Sequence, residues 1–262
     1  MRKNPRLRGA AAVLVIAAAL ASTIGISSAR AAATCTETGL VRDGINLTAA
    51  VNNPTAPVTG PVDATSCNIG VYYGPGTSGS VVGAEIFGAN YYGVVVNASA
   101  VDVTNSSIHD IGETPFNGSQ HGVGVLYTTI DQAGTVTGPS ATGTLGGNTI
   151  FNYQKNGVVI SGSGAAVVVD SNTVTGLGPV DFIAQNGIQI SFGASAKVTG
   201  NNVTRNDYTP AKVTACGLLL FKAGGVSASK NGISSLKADN NVHGNETDIC
   251  NFGKGGGFDA AS

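Results

Sequence analysis

The residues of this chain that could do chemistry lie in variable segments between similar stretches of sequence. Two aspartates, Asp181 and Asp207, occur in such segments, and so do two lysines, Lys155 and Lys212. If the similar stretches stack in register, the aspartates lie on neighbouring turns with the lysines beside them. Carboxylates and a lysine could then perform acid–base chemistry on a sugar. The competing interpretation is that all four are solvated loop charges, the usual state of such side chains.

The same segments contain residues better suited to binding than to catalysis. Tyr153 and Tyr208 could stack on sugar rings, although packing within the loops explains them equally well. Glu113, His121 and Gln185 could supply hydrogen bonds to a bound ligand. We expect no metal and no cofactor: the histidines have no zinc-site spacing, and singly scattered carboxylates give calcium no support.

The stretches between these segments repeat about every 30 residues. Residues 156–160, 186–190 and 216–220 share a glycine followed by aliphatic residues at alternating positions. Aligned glycines at 93, 122, 157, 187 and 217 are spaced by 29, 35, 30 and 30 residues. A fixed period of this length is typical of a solenoid. Each short strand would pair in parallel with its copy one turn later, about 4.8 Å away. Within 186–190, alternation places Ile188 and Ile190 in the core.

Asparagines recur at one turn position of the repeat, at 148, 172, 201 and 240. Asparagine tolerates a left-handed backbone and can bond to stacked neighbours, so we expect a ladder there. Several asparagines also precede Ser or Thr at the spacing of a glycosylation acceptor. Because the repeats bring Asn and Thr together, turn ladders explain these matches better than glycosylation does.

The ends of the chain differ from the repeats. Residues 1–31 have a basic start, an apolar run at 10–21 and small residues at 29 and 31, which predicts a cleaved signal peptide and a secreted, extracellular protein. The apolar run is short for a membrane span, so we expect no transmembrane segment after cleavage. We expect an amino-terminal cap at 32–68, the repeats at 69–252, and a flexible Gly-rich tail at 253–262.

Charge argues against one class of partner. The chain has 14 basic and 15 acidic residues, and five of the basic ones precede residue 32, which leaves nine against fifteen in the mature part. No basic stripe is visible, so we expect no nucleic-acid partner.

The four cysteines fall into two pairs about one repeat apart. An even count in an exported protein favours disulfides. Because Cys35 and Cys67, and likewise Cys216 and Cys250, could sit side by side on adjacent turns, we predict these two pairings. A zinc site is the alternative, but no close Cys-x-x-Cys or Cys-His pair is present.

The Gly-Asn-Thr-Val turns, the Asn-Gly-Ile-x-Ile strands and the closing segment 245–252 resemble a known family. The chain is similar to secreted bacterial right-handed parallel β-helix repeat proteins, the pectate-lyase-like superfamily in the broad sense. This resemblance implies an all-β, single-stranded right-handed parallel β-helix with an irregular amino-terminal cap. It leaves activity open, because the superfamily includes lyases, hydrolases, epimerases, tailspikes and adhesins. The family's enzyme motifs do not carry over: an Asp-Asp pair and Asp-Pro-His-Asp are missing, and Gln120-His121-Gly122 lacks the leading glycine of Gly-His-Gly.

Three functional hypotheses follow. The first is a non-catalytic exported protein that binds a polysaccharide or a cell-envelope partner along its stacked loop face. The second is a carbohydrate-active enzyme, a polysaccharide lyase or a glycoside hydrolase, that uses the aspartates and lysines named above. The third is a structural or adhesive surface protein, favoured by outward apolar residues Val95, Val159 and Leu219. A covering amino-terminal segment would explain those three residues equally well.

Overall fold

The computed structural model describes residue 1 and residues 33–210, 212–227, 236–253 and 258–260. The predicted signal peptide, apart from Met1, lies outside the described residues. Every element below belongs to the unit formed by residues 32–262.

The described residues form three sheets that the chain visits in turn, with strands numbered β1 to β23 in chain order. Sheet A contains β1 (Thr36–Arg42), β2 (Ile45–Asn52), β4 (Ile69–Tyr73), β7 (Tyr92–Asn97), β10 (Val123–Thr128), β13 (Asn156–Ser161), β16 (Asn186–Ser191), β19 (Cys216–Phe221), β22 (Thr247–Phe252) and β23 (Phe258–Ala260). Sheet B contains β5 (Ser78–Val82), β8 (Ala100–Thr104), β11 (Ala141–Gly146), β14 (Ala165–Asp170), β17 (Ser195–Thr199) and β20 (Gly225–Ser227). Sheet C contains β3 (Val62–Asp63), β6 (Glu85–Phe87), β9 (Ser107–Ile111), β12 (Thr149–Tyr153), β15 (Thr173–Val180), β18 (Asn202–Tyr208) and β21 (Asn241–Val242). One short helix, α1 (Leu236–Asp239), precedes β21.

Successive coils stack in parallel, as the repeat predicts. From β4 to β22, each strand of sheet A pairs in parallel with the strand one coil later, and sheets B and C follow the same rule. Val158 pairs with Ile188, and Ile188 with Leu218, so these side chains form one column in the buried core. The prediction of an all-β solenoid is confirmed.

The glycine column differs from the predicted alignment by two residues. Gly124, not Gly122, lies between Gly93 and Gly157: a Cβ on Gly124 would lie 2.6 Å from the carbonyl oxygen of Gly157 and 2.7 Å from Cγ2 of Ile150. Gly122 instead has a φ of 86° in the preceding turn. The alternation Gly122-Val123-Gly124-Val125 fits both registers, since a two-residue shift leaves the same faces inward. The glycine is required at 124 because sheets A and C meet there.

A ladder of buried asparagines runs along the turn between sheets B and C. Asn148, Asn172, Asn201 and Asn240 are each at most 6 % exposed. The side-chain oxygens of the last three each accept from the backbone and side-chain nitrogens of the asparagine before, at 2.8 to 3.0 Å, and that of Asn148 accepts from the N–H of Ser106. The predicted ladder is confirmed, and it supplies partners for backbone groups that the turn removes from the sheets.

The segment predicted as an irregular cap begins with a β-hairpin whose register shifts between Glu37 and Val41. Strands β1 and β2 are antiparallel and joined at Asp43 and Gly44, with φ of 52° and 76°. Two consecutive positive φ values suit the twist of a two-residue hairpin, and Asp-Gly is a preferred sequence for it. Only the second half of β2 pairs with β4, from Ala49 onward. Leu40 and Leu47 belong to a buried cluster with outward residues of sheet A, so the hairpin covers part of that sheet.

Both predicted disulfides are present. Cys35–Cys67 and Cys216–Cys250 have Cα–Cα distances of 5.5 and 6.0 Å. The second bridge lies between β19 and β22, one coil apart, as the spacing predicts. Within the Gly-rich tail, residues 258–260 form β23, which pairs antiparallel with β22.

Candidate functional site

A groove follows the outer face of sheet A from β10 to β22, and we call it the outer groove. It consists of two adjoining cavities of about 480 and 720 Å³. Both cavities are lined by Gln120, Lys155, Gln189 and Phe192, so they form one continuous depression. The loops that join sheet C to sheet A form one wall. The turns that leave sheet A form the other.

The tip of the amino-terminal hairpin closes the first end of the outer groove. Nη1 of Arg42 donates a 2.8 Å hydrogen bond to the hydroxyl of Tyr92, and Nη2 donates to the carbonyl oxygen of Gln120. The backbone and side chain of Asp43 form two 2.7 Å hydrogen bonds with the side-chain amide of Gln132. The bond from Gln132 is the main reason why the pKa of the Asp43 carboxyl is lowered. The hairpin tip is therefore fastened to both walls.

Two of the predicted binding residues, Glu113 and His121, form a pair beside this tip. Nε2 of His121 lies 2.7 Å from Oε1 of Glu113, and its Nδ1 lies 3.5 Å from Oδ2 of Asp43. The imidazole stacks on the ring of Tyr91 at 3.8 Å and is only 6 % exposed. This arrangement holds the hairpin to the loop before β10. The histidine itself offers little surface to a ligand.

Lys155 stands at the middle of the outer groove, where the two cavities meet. Its backbone is fixed between coils: its N–H donates to Gly122 and its carbonyl accepts from Asn186. Its Nζ donates a 2.8 Å hydrogen bond to the carbonyl oxygen of Ala184 on the next coil. Burial lowers the pKa of the Lys155 ammonium to about 8. No carboxylate in the described part of the chain forms an ion pair with it.

The carboxyl end of the outer groove is apolar and aromatic. Leu219 lies on its floor, and Phe182, Tyr208 and Val213 line the wall formed by the loops. Three phenylalanines line the opposite edge in a row, with ring centroids 5.4 Å and 6.2 Å apart, at positions 192, 221 and 252. Phe192 is 50 % exposed and Val213 60 % exposed. This end is much less covered than the end beneath the hairpin.

Two other predicted binding residues do not reach the groove. Tyr153 is completely buried, and its hydroxyl donates a 2.6 Å hydrogen bond to Oδ1 of Asn206. Burial raises the pKa of this hydroxyl. Gln185 is also completely buried; its side chain donates to the carbonyl of Tyr153 and accepts from the N–H of Leu177. Both side chains stabilise the stacking of coils, so the expectation that they contact a ligand does not fit their positions.

The predicted catalytic set is only partly brought together. Asp207 in β18 pairs with Pro179 in β15, and Asp181 follows two residues after Pro179, so the two aspartates do lie on adjacent coils. Asp181 and Lys212 are exposed and Asp207 is partly exposed. Of the four residues only Lys155 lines the outer groove, and no ion pair among the described residues joins any of them. The set does not form a carboxylate pair around a cavity.

Several lining residues were not among the candidates drawn from the sequence. Phe221 and Phe252 end their strands, and Phe192 directly follows β16, so the three occupy nearly equivalent positions of successive coils. Gln189 occupies the outward position that pairs with Val159 and Leu219 on its neighbours. The repeat contains this signal, because outward strand positions and strand ends are visible once the register is known.

No group of three or more His, Cys, Asp or Glu residues in the described ranges is arranged to hold a metal ion. The same ranges contain no helix with the length and apolar character needed to cross a bilayer.

A family model described as a right-handed β-helix region matches residues 61–246. The matched range includes most of the chain and coincides with the stacked coils of the structure. The chain belongs to the right-handed β-helix family. Searches of curated proteins and of solved structures returned no match. Membership of the β-helix family suggests a carbohydrate-related or surface protein, and it indicates that the coils are right-handed.

Proposed function

We propose that this β-helix protein binds a glycan chain in the outer groove without cleaving it. The observation that carries the proposal is the groove itself, which crosses five strands, β10, β13, β16, β19 and β22. Four steps of about 4.8 Å give a length of about 19 Å. An extended chain can therefore contact several coils at once. Concave, largely apolar sites with a few polar groups are typical of ligand-binding sites.

The lining chemistry favours a sugar over other extended ligands. Aromatic side chains at Phe182 and Tyr208 offer apolar surface for the faces of sugar rings. The middle of the groove offers the amide of Gln189, which both donates and accepts hydrogen bonds and so suits hydroxyl groups, whereas the neighbouring Asn156 and Asn186 are at most 5 % exposed. Nδ2 of Asn156 already donates a 3.0 Å bond to Oε1 of Gln189, which orients both amides. A nucleic acid is disfavoured, because acidic residues outnumber basic ones after residue 31.

Binding can be measured on immobilised neutral and acidic polysaccharides, with purified protein in solution. We expect retention on at least one glycan, and we expect Tyr208→Ala to weaken it about five-fold, since one aromatic contact is worth about 1 kcal/mol. Phe151→Ala is the matched control, because Phe151 is 37 % exposed on sheet C, away from the groove. Retention on no glycan, or equal effects of the two substitutions, would contradict the proposal.

A second candidate, a lyase or hydrolase, is favoured by one observation. Lys155 lines the groove, and burial brings its pKa to about 8, where a lysine can exchange protons near neutral pH. Asp181, Asp207 and Lys212 would complete the set if they moved toward a bound substrate. Incubation with pectin and alginate, followed by assays for unsaturated products and new reducing ends, separates this candidate from simple binding. Activity that survives Asp181→Ala and Asp207→Ala would remove those residues from the site.

We also propose that the protein is secreted and acts at or beyond the cell envelope. Two disulfides are compatible with an oxidising compartment. The basic and apolar start of the sequence supports export. Fractionation of expressing cells should recover the chain outside the cytoplasm, with an amino terminus near residue 32. Recovery of full-length protein from the cytoplasm alone would contradict this.

A further inference from the structure

We propose that Lys155 captures the aldehyde end of a reducing sugar as a reversible imine within the outer groove. This inference rests on the proposed glycan groove, which it deepens by assigning one residue a covalent role. The basis is the position of the amine. Lys155 is one of four residues shared by the two cavities, so its side chain lies where a chain occupying either half would end or pass.

The surroundings of the amine favour a nucleophile over a salt-bridging cation. Nζ of Lys155 donates a hydrogen bond to the carbonyl oxygen of Ala184 at 2.8 Å. Its other N–H directions are open to the groove. The other titratable residues that line the two cavities are Arg42, Tyr92, Asp131 and Tyr208, and no ion pair in the described chain links any of them to Lys155. Without a carboxylate partner, the hydrogen bond to Ala184 compensates the ammonium only in part for the loss of water.

Burial consequently lowers the pKa of Lys155 to about 8. At pH 7 about a tenth of such an amine is unprotonated, against about one in 2,500 for a lysine of ordinary pKa near 10.4. A desolvated lysine in an apolar pocket is one of the recognised ways of activating this nucleophile. Hydrogen bonds on both backbone groups of Lys155 also hold the residue between the coils, so its amine stays beside the groove.

The chemical step is balanced without an oxidant or a reductant. The lone pair of the neutral Nζ attacks the carbonyl carbon of the open-chain aldehyde; a C–N bond forms, the carbonyl π bond breaks, and one of the two nitrogen protons moves to the oxygen. The resulting carbinolamine loses its hydroxyl as water, with the remaining nitrogen proton, and leaves a C=N bond. Hydrolysis reverses the sequence and returns the free amine and the aldehyde.

The test uses the native protein with glycolaldehyde as a small probe and cyanoborohydride to trap imines. Peptide mapping by mass spectrometry then gives the rate of adduct formation at each lysine. We expect Lys155 to react at least ten-fold faster than the exposed Lys212 at pH 7. We expect the rate at Lys155 to level off above pH 8, where its amine is largely unprotonated. Lys212→Arg should leave the Lys155 adduct unchanged, and Lys155→Arg should abolish the fast phase.

Two further arms separate this inference from the proposed function. A glycan that the protein retains is compared with the same glycan after borohydride reduction, which removes the aldehyde. Trapping of the unreduced glycan at Lys155 supports the inference, and binding of both forms without trapping refutes it while leaving glycan binding intact. If glycolaldehyde is trapped fast at Lys155 but no glycan is retained, the reactivity of the amine is supported and the proposal that the groove binds a glycan is refuted. Equal glycolaldehyde rates at Lys155 and Lys212 in the wild-type protein overturn the inference without any variant.

Discussion

Removal of one asparagine from the buried ladder should cost far more than removal of an exposed one. The side-chain oxygen of Asn172 accepts from the backbone N–H of Asn148 at 3.0 Å and from its side chain at 2.8 Å. Its amide donates to Leu145 at 2.8 Å and to Asn201 at 2.9 Å. Asn172→Ala therefore deprives at least two buried backbone groups, the N–H of Asn148 and the carbonyl of Leu145, of these bonds. At about 1–3 kcal/mol for each unsatisfied group, we expect a loss of about 2–6 kcal/mol.

The measurement is equilibrium unfolding in urea at pH 7, followed by circular dichroism, with the unfolding free energy extrapolated to zero denaturant compared between variants. The matched control is Asn241→Ala. Asn241 is exposed and donates one 2.8 Å bond to Asn202, so its loss should cost less than about 0.5 kcal/mol. If Asn172→Ala costs less than about 1 kcal/mol, or no more than the control, the ladder does not stabilise the coils as argued.

A second substitution at the same position adds a pH dependence. Asn172→Asp removes the amide hydrogens that Leu145, Asp170 and Asn201 accept and places a carboxyl among these acceptors. Burial and the acceptors raise the folded-state pKa of that carboxyl above its unfolded value of about 3.9. Its stability relative to wild type is therefore greatest below pH 4 and falls as pH rises through the folded pKa. Equal destabilisation at pH 4 and pH 7 would refute the assignment of donors and acceptors.

Three further predictions concern the core, a bridge and the groove. Gly187→Ala should strongly destabilise the protein in urea unfolding, because a Cβ there would collide with a side-chain carbon of Val203, whereas Gly60→Ala, with no atom within 4 Å, should be nearly neutral. Loss of the Cys216–Cys250 bridge, which closes a separation of 34 residues, should lower the unfolding free energy by about 3–4 kcal/mol in the chain-entropy estimate, measured by comparing the wild-type protein with the double substitution Cys216→Ala and Cys250→Ala. Lys155→Met should raise the melting temperature at pH 7, and the gain should shrink toward pH 10, because the wild-type burial penalty applies only while the amine is charged.

Specific outcomes would contradict each of these three. Equal stabilities of the Gly187→Ala and Gly60→Ala variants would mean that the sheets can separate at the corner without cost. An unchanged transition in the double cysteine variant would show that the last coil is held by its strand pairing alone. A gain from Lys155→Met that grows with pH would have the wrong sign for a lysine whose pKa is lowered in the folded state.

The sequence predicted the scaffold well because the scaffold is repetitive. A solenoid places the same residue type in the same environment on every coil, so the recurrence of Asn172 and Asn201 one repeat apart is enough to identify the ladder. The error at Gly122 and Gly124 shows the limit of this reasoning. Where two glycines stand two residues apart, hydrophobic alternation cannot choose between the registers. The contact of Gly124 with Ile150 of sheet C, which decides the matter, is a tertiary one.

The candidate site was harder to predict because the segments that shape it do not repeat. Tyr153 and Gln185 occupy variable segments and look like loop residues, yet both are completely buried and bond to other coils. A polar residue near a loop can face inward when a buried backbone group there needs a partner, and the sequence does not show which groups are left unpaired. Lys155 does lie on the loop side and lines the groove. Its low pKa arises from burial without a compensating carboxylate, which is a property of the fold.

On sheet A, the repeat determines which outward residues are apolar, and the non-repeating hairpin determines which of them are covered. The repeat makes one outward position apolar on several coils, at Val95, Val159 and Leu219, and would by itself leave the whole face exposed. The hairpin covers only the first coils: Val95 is fully buried and Val159 is partly buried against the same cluster. Leu219 lies beyond its reach and lines the outer groove. The open length of the groove is therefore set by how far the hairpin extends. A hairpin longer by two residue pairs would extend about 7 Å farther, more than one strand spacing, and could cover another coil.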